Sequence, residues 1–208
     1  MKGEFIDIAY SYYPKGINFF TEKREINDKY INSREYKKLE RERKNYFGYD
    51  EKFGFKIIES LKKNNINVEL RDSSRILSGD RAFLIQHSGF FYEKELKYYP
   101  LCYVFSGIIP YFYSYFVDID ISFEESVFNE GTYKWKKING ILSNLEDKPN
   151  FYSLENAISS VISKELGLKK FPKSIINNII PDIGNNNIEY GSFTYFNAFF
   201  LDDFFCVP

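Results

Sequence analysis

The stretch YYPLCYVFSGIIPYFYSYFV, Tyr98 to Val117, contains no charged residue, in a chain of which 27% is charged. Its reading decides the fold, because about 20 apolar residues in a row are also enough to cross a bilayer as a helix. The composition argues against a span. Pro100 and Pro110 bracket the run, Gly107 lies inside it, and six of its residues are Tyr, a poor match to the hydropathy of a membrane helix. A period of two fits better. In YFYSYFVDIDIS the odd positions are Tyr111, Tyr113, Tyr115, Val117, Ile119 and Ile121, and the even ones are Phe112, Ser114, Phe116, Asp118, Asp120 and Ser122. That is a strand whose second face turns polar as it leaves the centre of a sheet. LCYVFS reads as its companion strand, and SGIIP supplies the turn, so an antiparallel pair of buried strands is expected.

Working outward, EFIDIAYSYY alternates too, with Phe5, Asp7, Ala9 and Ser11 opposite Ile6, Ile8, Tyr10 and Tyr12, and reads as a first strand ended by Pro14 and Gly16. Ser33 is a good N-cap for a helix with a seam of Tyr36, Leu39, Arg43 and Tyr46 and a stop at Gly48. DEKFGFKIIESLKKNN reads as a second helix, with Phe53, Ile57, Ile58 and Leu61 on one side. INVELRD and RAFLIQHSGFFYE read as strands joined around Ser78-Gly79-Asp80. Past Ser122 a weak helix is expected near Trp135–Leu145, with a break at Pro149. SLENAISSVISKELG is the clearest helix. Ser153 is its expected cap, Glu155 falls in its first turn, Leu154, Ala157, Ile158, Val161, Ile162 and Leu166 form its stripe, and Gly167 ends it. FPKSIINNIIPDIG suggests a short helix broken at Pro181, and the aromatic tail EYGSFTYFNAFFLDDFFCVP a last strand or an irregular packed segment. No repeat or linker marks a boundary. Residues 1–208 are therefore expected to form a single α+β domain, a mainly antiparallel sheet flanked by helices.

The totals narrow the functional classes. The chain has 208 residues, 44% hydrophobic and 20% aromatic, with 22 Phe and 18 Tyr. Rings on this scale carry much of the burial energy, and each buried Tyr hydroxyl needs a partner. A general usage rich in Phe, Tyr, Ile, Asn and Lys explains the rings more simply than a dedicated aromatic surface. A net charge of −1 gives no general affinity for nucleic acid or anionic lipid. Cys102 and Cys206 show neither a CxxC nor metal spacing; two packed thiols in a reducing compartment are expected, and a disulfide between them stays open. The start MKGEFIDIAYSYYPKG lacks the apolar core of a secretory signal. A cytoplasmic protein without membrane contact follows as the expectation.

No catalytic signature emerges. His87 is the only histidine, and HSGFF forms no nucleophile elbow, so a lone half-buried imidazole is the simpler reading. Asp118 and Asp120 share one strand face, with Glu124 and Glu125 just beyond. Such a group suits Mg²⁺ or acid–base work, although a strand leaving a core also exposes carboxylates to water. No phosphate-cradling glycine loop occurs. No catalytic residue, metal or cofactor is assigned. Between Glu22 and Lys44, nine basic residues alternate with six acidic ones, as on a solvated helix face. After Lys173 no basic residue occurs, while Asp182, Glu189, Asp202 and Asp203 make the end acidic. An acidic, aromatic end suits a basic partner surface.

FPKSIINNIIPDIG followed by FTYFNAFFLDD, in the C-terminal part of the chain, resembles small bacterial immunity proteins that accompany polymorphic toxins. The resemblance implies a cytoplasmic α+β domain that binds and blocks one secreted toxin; it carries over no functional residue. The expectation is a protein-binding, immunity-type protein whose partner is a cognate toxin, with Asp118, Asp120, Asp202 and Asp203 occluding a basic active site. The alternatives are a small enzyme or ligand-binding protein using His87 or the Asp118/Asp120 pair, and a binder with an aromatic cavity fringed by Tyr hydroxyls.

Overall fold

The computed structural model describes residues 2–47, 52–66, 70–72, 82–124, 131–141, 149–186 and 188–202. The uncharged stretch forms the two central strands of the sheet, β3 (Lys97–Ser106) and β4 (Tyr111–Glu124), joined by a tight connection and paired antiparallel. β1 (Leu70–Asp72) and β2 (Ala82–Tyr92) extend the sheet on one side, and β5 (Thr132–Ile141) pairs with the second half of β4 on the other. A two-residue strand, β6 (Lys169–Lys170), lies parallel to the start of β4 at Tyr111 and Phe112. The outer edge of β4 is thus shared between β6 at its beginning and β5 at its end.

The alternation in β4 divides two cores. Tyr113, Tyr115, Val117, Ile119 and Ile121 join Cys102 and Val104 of β3 on one face, and Phe112 and Phe116 join Leu101, Tyr103 and Phe105 on the other. The first face is covered by α1 (Lys2–Tyr10), by Leu39 of α3 (Arg34–Phe47) and by the C-terminal segment ending in α6 (Tyr195–Phe199). The second is covered by Ile57 and Leu61 of α4 (Lys52–Lys63) and by Phe151, Ile158, Val161 and Ile162 of α5 (Pro149–Leu166). The result is an α+β domain, a mainly antiparallel sheet flanked by helices on both faces. Two buried Tyr hydroxyls find backbone partners: Tyr13 donates to the Ala198 carbonyl at 2.9 Å, and Tyr103 to the Glu155 carbonyl at 3.1 Å.

Several local expectations are corrected. The expected first strand is the helix α1: Phe5 and Ala9, four apart, are the buried pair, so the 3.6-residue period won over an equally visible period of two. Of the helix expected near Trp135–Leu145, the part up to Ile141 belongs to the strand β5, stabilised by pairing to β4 rather than by a buried helical stripe, and residues 142–145 lie outside the described residues. Pro149 opens α5 instead of breaking the chain, which suits the first turn of a helix, where its missing N–H costs nothing. Ser153 consequently lies inside α5, not at its cap. FPKSIINNIIPDIG forms turns that bury Ile176, Ile180 and Ile183, not a helix. The tail is neither strand nor irregular throughout: α6 follows a capping box in which the Thr194 hydroxyl accepts from the Asn197 N–H and the Asn197 side chain accepts from the Thr194 N–H. The Ser33 cap is present, its hydroxyl accepting from the Tyr36 N–H at 3.1 Å, and Gly167 ends α5 at φ +65°. Gly48 and the turn Ser78-Gly79-Asp80 lie outside the described residues.

Candidate functional site

The even face of β4 carries two carboxylate–lysine groups, one under α5 and one beyond it. Under the helix, Glu155 accepts hydrogen bonds from the Ser114 hydroxyl at 2.6 Å, the Ser159 hydroxyl at 2.7 Å and the Lys170 ammonium of β6. Burial alone would raise the Glu155 carboxyl, but Lys170 and the two hydroxyls outweigh it and hold the group below its ordinary value. A carboxylate so held, already accepting three bonds on one oxygen, is a poor general base. The cluster clips α5 and β6 to β4. The sequence offered a signal for it: Glu155, Ile158, Ser159 and Ile162 follow the i, i+3, i+4, i+7 spacing of the buried stripe.

Further along the same face, Lys97 at the start of β3 pairs with Asp118 at 3.2 Å and with Asp120. Asp120 is held below its ordinary value first by Lys97 and then by the Asn139 side chain, while Asp120 in turn raises Lys97. One ammonium thus bridges both candidate carboxylates, and Lys137 stands opposite Asp120 in β5. Among the described residues no group of three His, Cys, Asp or Glu side chains is arranged to hold a metal ion.

The opposite face at this end of the sheet is apolar and open. Phe91 at the end of β2, Phe123 of β4 and Tyr133 of β5 are 46%, 45% and 41% exposed. The Tyr133 ring centroid is 4.9 Å from each of the two Phe rings. Phe123 and Tyr133 are direct cross-strand partners, which fixes their spacing. Phe123 lies so close over Gly131 that a Cβ there would fall 1.8 Å from its ring. The Tyr133 hydroxyl donates to Glu93 at 2.6 Å, and on the reverse face Lys134 pairs with Glu124. β5 carries Lys134, Lys136 and Lys137, all exposed, a common guard of sheet edges.

Asp202 belongs to a different network. Its carboxylate accepts from the Asn185 amide at 3.0 Å and its carbonyl from the Asn197 amide at 2.8 Å, which fastens the tail beneath α6. Asp118 and Asp120 are therefore brought together by Lys97, whereas Asp202 is tied to the loop at Asn185. Asp203, Glu125 and Cys206 lie outside the described residues. His87 takes its place in β2 opposite Leu70 and Leu101, next to a register shift. Cys102 is fully buried in β3. No helix among the described residues is long and apolar enough to cross a membrane. The aromatic cluster was not legible as a site, because Phe and Tyr at strand positions look alike whether a helix covers them or not. Compared with known proteins, the chain matches no family model, no curated protein and no solved structure.

Proposed function

We propose that the chain acts by binding a protein, in the manner of a cytoplasmic bacterial immunity protein that neutralises a cognate toxin, and that the open end of its sheet is the contact surface. The observation that carries this reading is the exposed trio Phe91, Phe123 and Tyr133. Most buried rings are used in two packed cores; here Tyr133 touches both Phe91 and Phe123, and all three are exposed. Aromatic anchors surrounded by a charged rim are the usual make-up of a binding hot spot. Glu93 borders the trio through the Tyr133 hydroxyl, and the charges Glu124, Lys134, Asp118, Asp120 and Lys97 lie on the reverse face of the same end of the sheet. Mixed charges of this kind favour a partner with complementary charges over nucleic acid, which would need a basic excess.

The test uses wild-type protein and the Phe91→Ala/Phe123→Ala/Tyr133→Ala variant as parallel baits in lysate of the source cells. A partner held by the wild type and weakened by at least about thirtyfold in a variant with unchanged circular dichroism supports the surface, since hot-spot truncations cost about 2 kcal/mol or more. Inhibition of that partner's toxic activity at equal stoichiometry supports the immunity reading. A partner retained equally by both baits rejects this surface. Reversing Asp118 and Asp120 to Lys is expected to slow association with a basic partner; an unchanged on-rate removes both from the contact.

A further inference from the structure

A cleft of about 570 Å³ separates the N-terminal hairpin from the loop that precedes α6. We propose that it is a binding site for a neutral, polyhydroxylated small molecule of the sugar class, distinct from the open end of the sheet. Both walls are held by hydrogen bonds within their own turns. On one side Phe20 and Ile26 form a bridge, Asn27 donates through its amide to the Asn18 carbonyl at 2.9 Å, and Arg24 takes a left-handed conformation at the tip, φ +60°. On the other side the Asn185 N–H donates to the Ile188 carbonyl at 3.0 Å, and the Asn185 side chain accepts from the Ile188 N–H at 3.0 Å. Gly184 is required in that turn, because a Cβ there would meet the Ile188 carbonyl oxygen at 2.8 Å. Tyr30 of α2 (Asp28–Ile31) ties the walls together: its ring packs on Phe19 at 5.0 Å and its hydroxyl donates to the Gly184 carbonyl at 2.8 Å.

The lining selects the ligand class. Asn18 and Asn186 offer exposed side-chain amides, Arg24 and Glu189 one charge of each sign, and Phe20 and Tyr190 ring surface. Amide, guanidinium and carboxylate groups interleave donors with acceptors, as vicinal hydroxyls do, and rings accept the C–H face of a pyranose. One cation balanced by one anion does not favour a phosphate. The Tyr190 hydroxyl adds an unmet demand: it is shielded from water and has no hydrogen-bond partner among the described residues. A buried hydroxyl without a partner costs free energy, which a ligand hydroxyl returns once the Tyr190 ring turns toward the cleft.

The test follows amide resonances of the full chain while glucose, galactose, mannose and N-acetylglucosamine are titrated separately. Saturable shifts confined to residues 18–24 and 184–190, from at least one sugar, are expected. An Asn18→Ala/Asn186→Ala variant is expected to lose about tenfold in affinity, or 1.4 kcal/mol, with an unchanged thermal midpoint. Tyr190→Phe should weaken sugar binding while leaving the unliganded midpoint equal or higher, an outcome that a purely structural hydroxyl would not give. Shifts spread over the surface, or none with any of the four sugars, overturn the proposal. If a Gly-Asn-Gly peptide perturbs these residues and the sugars do not, the cleft is a peptide site and the sugar assignment fails.

Discussion

β4 carries the same chemistry twice on one face, and the two copies behave differently. Ser114 looks onto Glu155 and Lys170 beneath α5, while Asp118 and Asp120 share Lys97 where the helix no longer covers the strand. Glu155 is 7% exposed, whereas the Asp118 and Asp120 side chains retain 23% and 32% exposure. In the first group desolvation works against the charge, and three hydrogen bonds are needed to keep it ionised. In the second, the carboxylates keep much of their exposure to water, and Lys97 lowers Asp120 with little desolvation to overcome. The difference teaches that covering, not residue type, decides whether a carboxylate–lysine group is a structural clip or part of a surface. The rings obey the same rule: Phe116 and Phe151 stack at 4.9 Å under the helix, and Phe123 and Tyr133 meet at the same distance in the open.

The largest effect is expected from uncovering the closed half. Phe151→Ala removes a fully buried ring that touches Phe116 and Tyr99 and should cost about 3–5 kcal/mol in urea unfolding; Phe123→Ala, in contrast, should leave stability nearly unchanged. Equal losses at the two positions would erase the distinction between covered and open ends.

Lys170→Ala comes next. It leaves the Glu155 anion without its cation, and about 2 kcal/mol should be lost, less than for a fully buried pair because Lys170 is 39% exposed. The acid limb gives a second reading. With its folded-state pKa depressed, Glu155 contributes stability above its ordinary value of 4.5 and loses it as the pH falls through the folded value. The Lys170→Ala protein should therefore show a flatter stability profile below that pH, and an identical profile would mean that Lys170 does not hold the charge.

The alkaline limb probes the cores on both faces of the sheet, Tyr113 on one and Tyr103 on the other. Burial, followed by the Glu155 charge, pushes Tyr113 up to about 12 and Tyr103 well above its ordinary value of 10.0. Both raised values favour the folded state below pH 10, and that contribution disappears as the pH rises toward the folded values. The phenolate absorbance of these two residues should accordingly develop late and together with unfolding. Early ionisation of the full tyrosine complement in folded protein would show that the core is wetter than the packing implies.

The smallest effect is expected at the open group. Lys97→Ala should move the thermal midpoint little, while the Asp120 carboxyl rises toward its ordinary value of 3.8, measurable from carboxyl-carbon shifts. A loss of stability matching that of Lys170→Ala would place Lys97 in the covered class.

Much of the architecture was legible, and the reasons are local. A charge-free run with internal prolines admits few structures besides a buried strand pair, and the polar turn at Asp118 and Asp120 marked where cover ends. Ser33, Gly167 and the α5 stripe carried capping and periodic signals that depend on near neighbours alone. Where two periods coexisted, as in Phe5–Ala9, or where strand pairing supplied the stabilisation, as in β5, local pattern pointed the wrong way. Asp118 and Asp120 could be placed on one face, but the lysine that unites them comes from the neighbouring strand, 21 residues before Asp118 in the chain.

The sequence by itself determined an α+β domain with a two-sided sheet, because alternation and helical stripes are properties of neighbouring residues. Only the tertiary structure decided which rings stay uncovered, which carboxylate is clipped beneath α5, and that the 18–24 hairpin faces the 184–190 loop across a cleft. Those outcomes depend on contacts between distant segments. A side chain acquires its burial, and with it its energetic role, only once such segments meet.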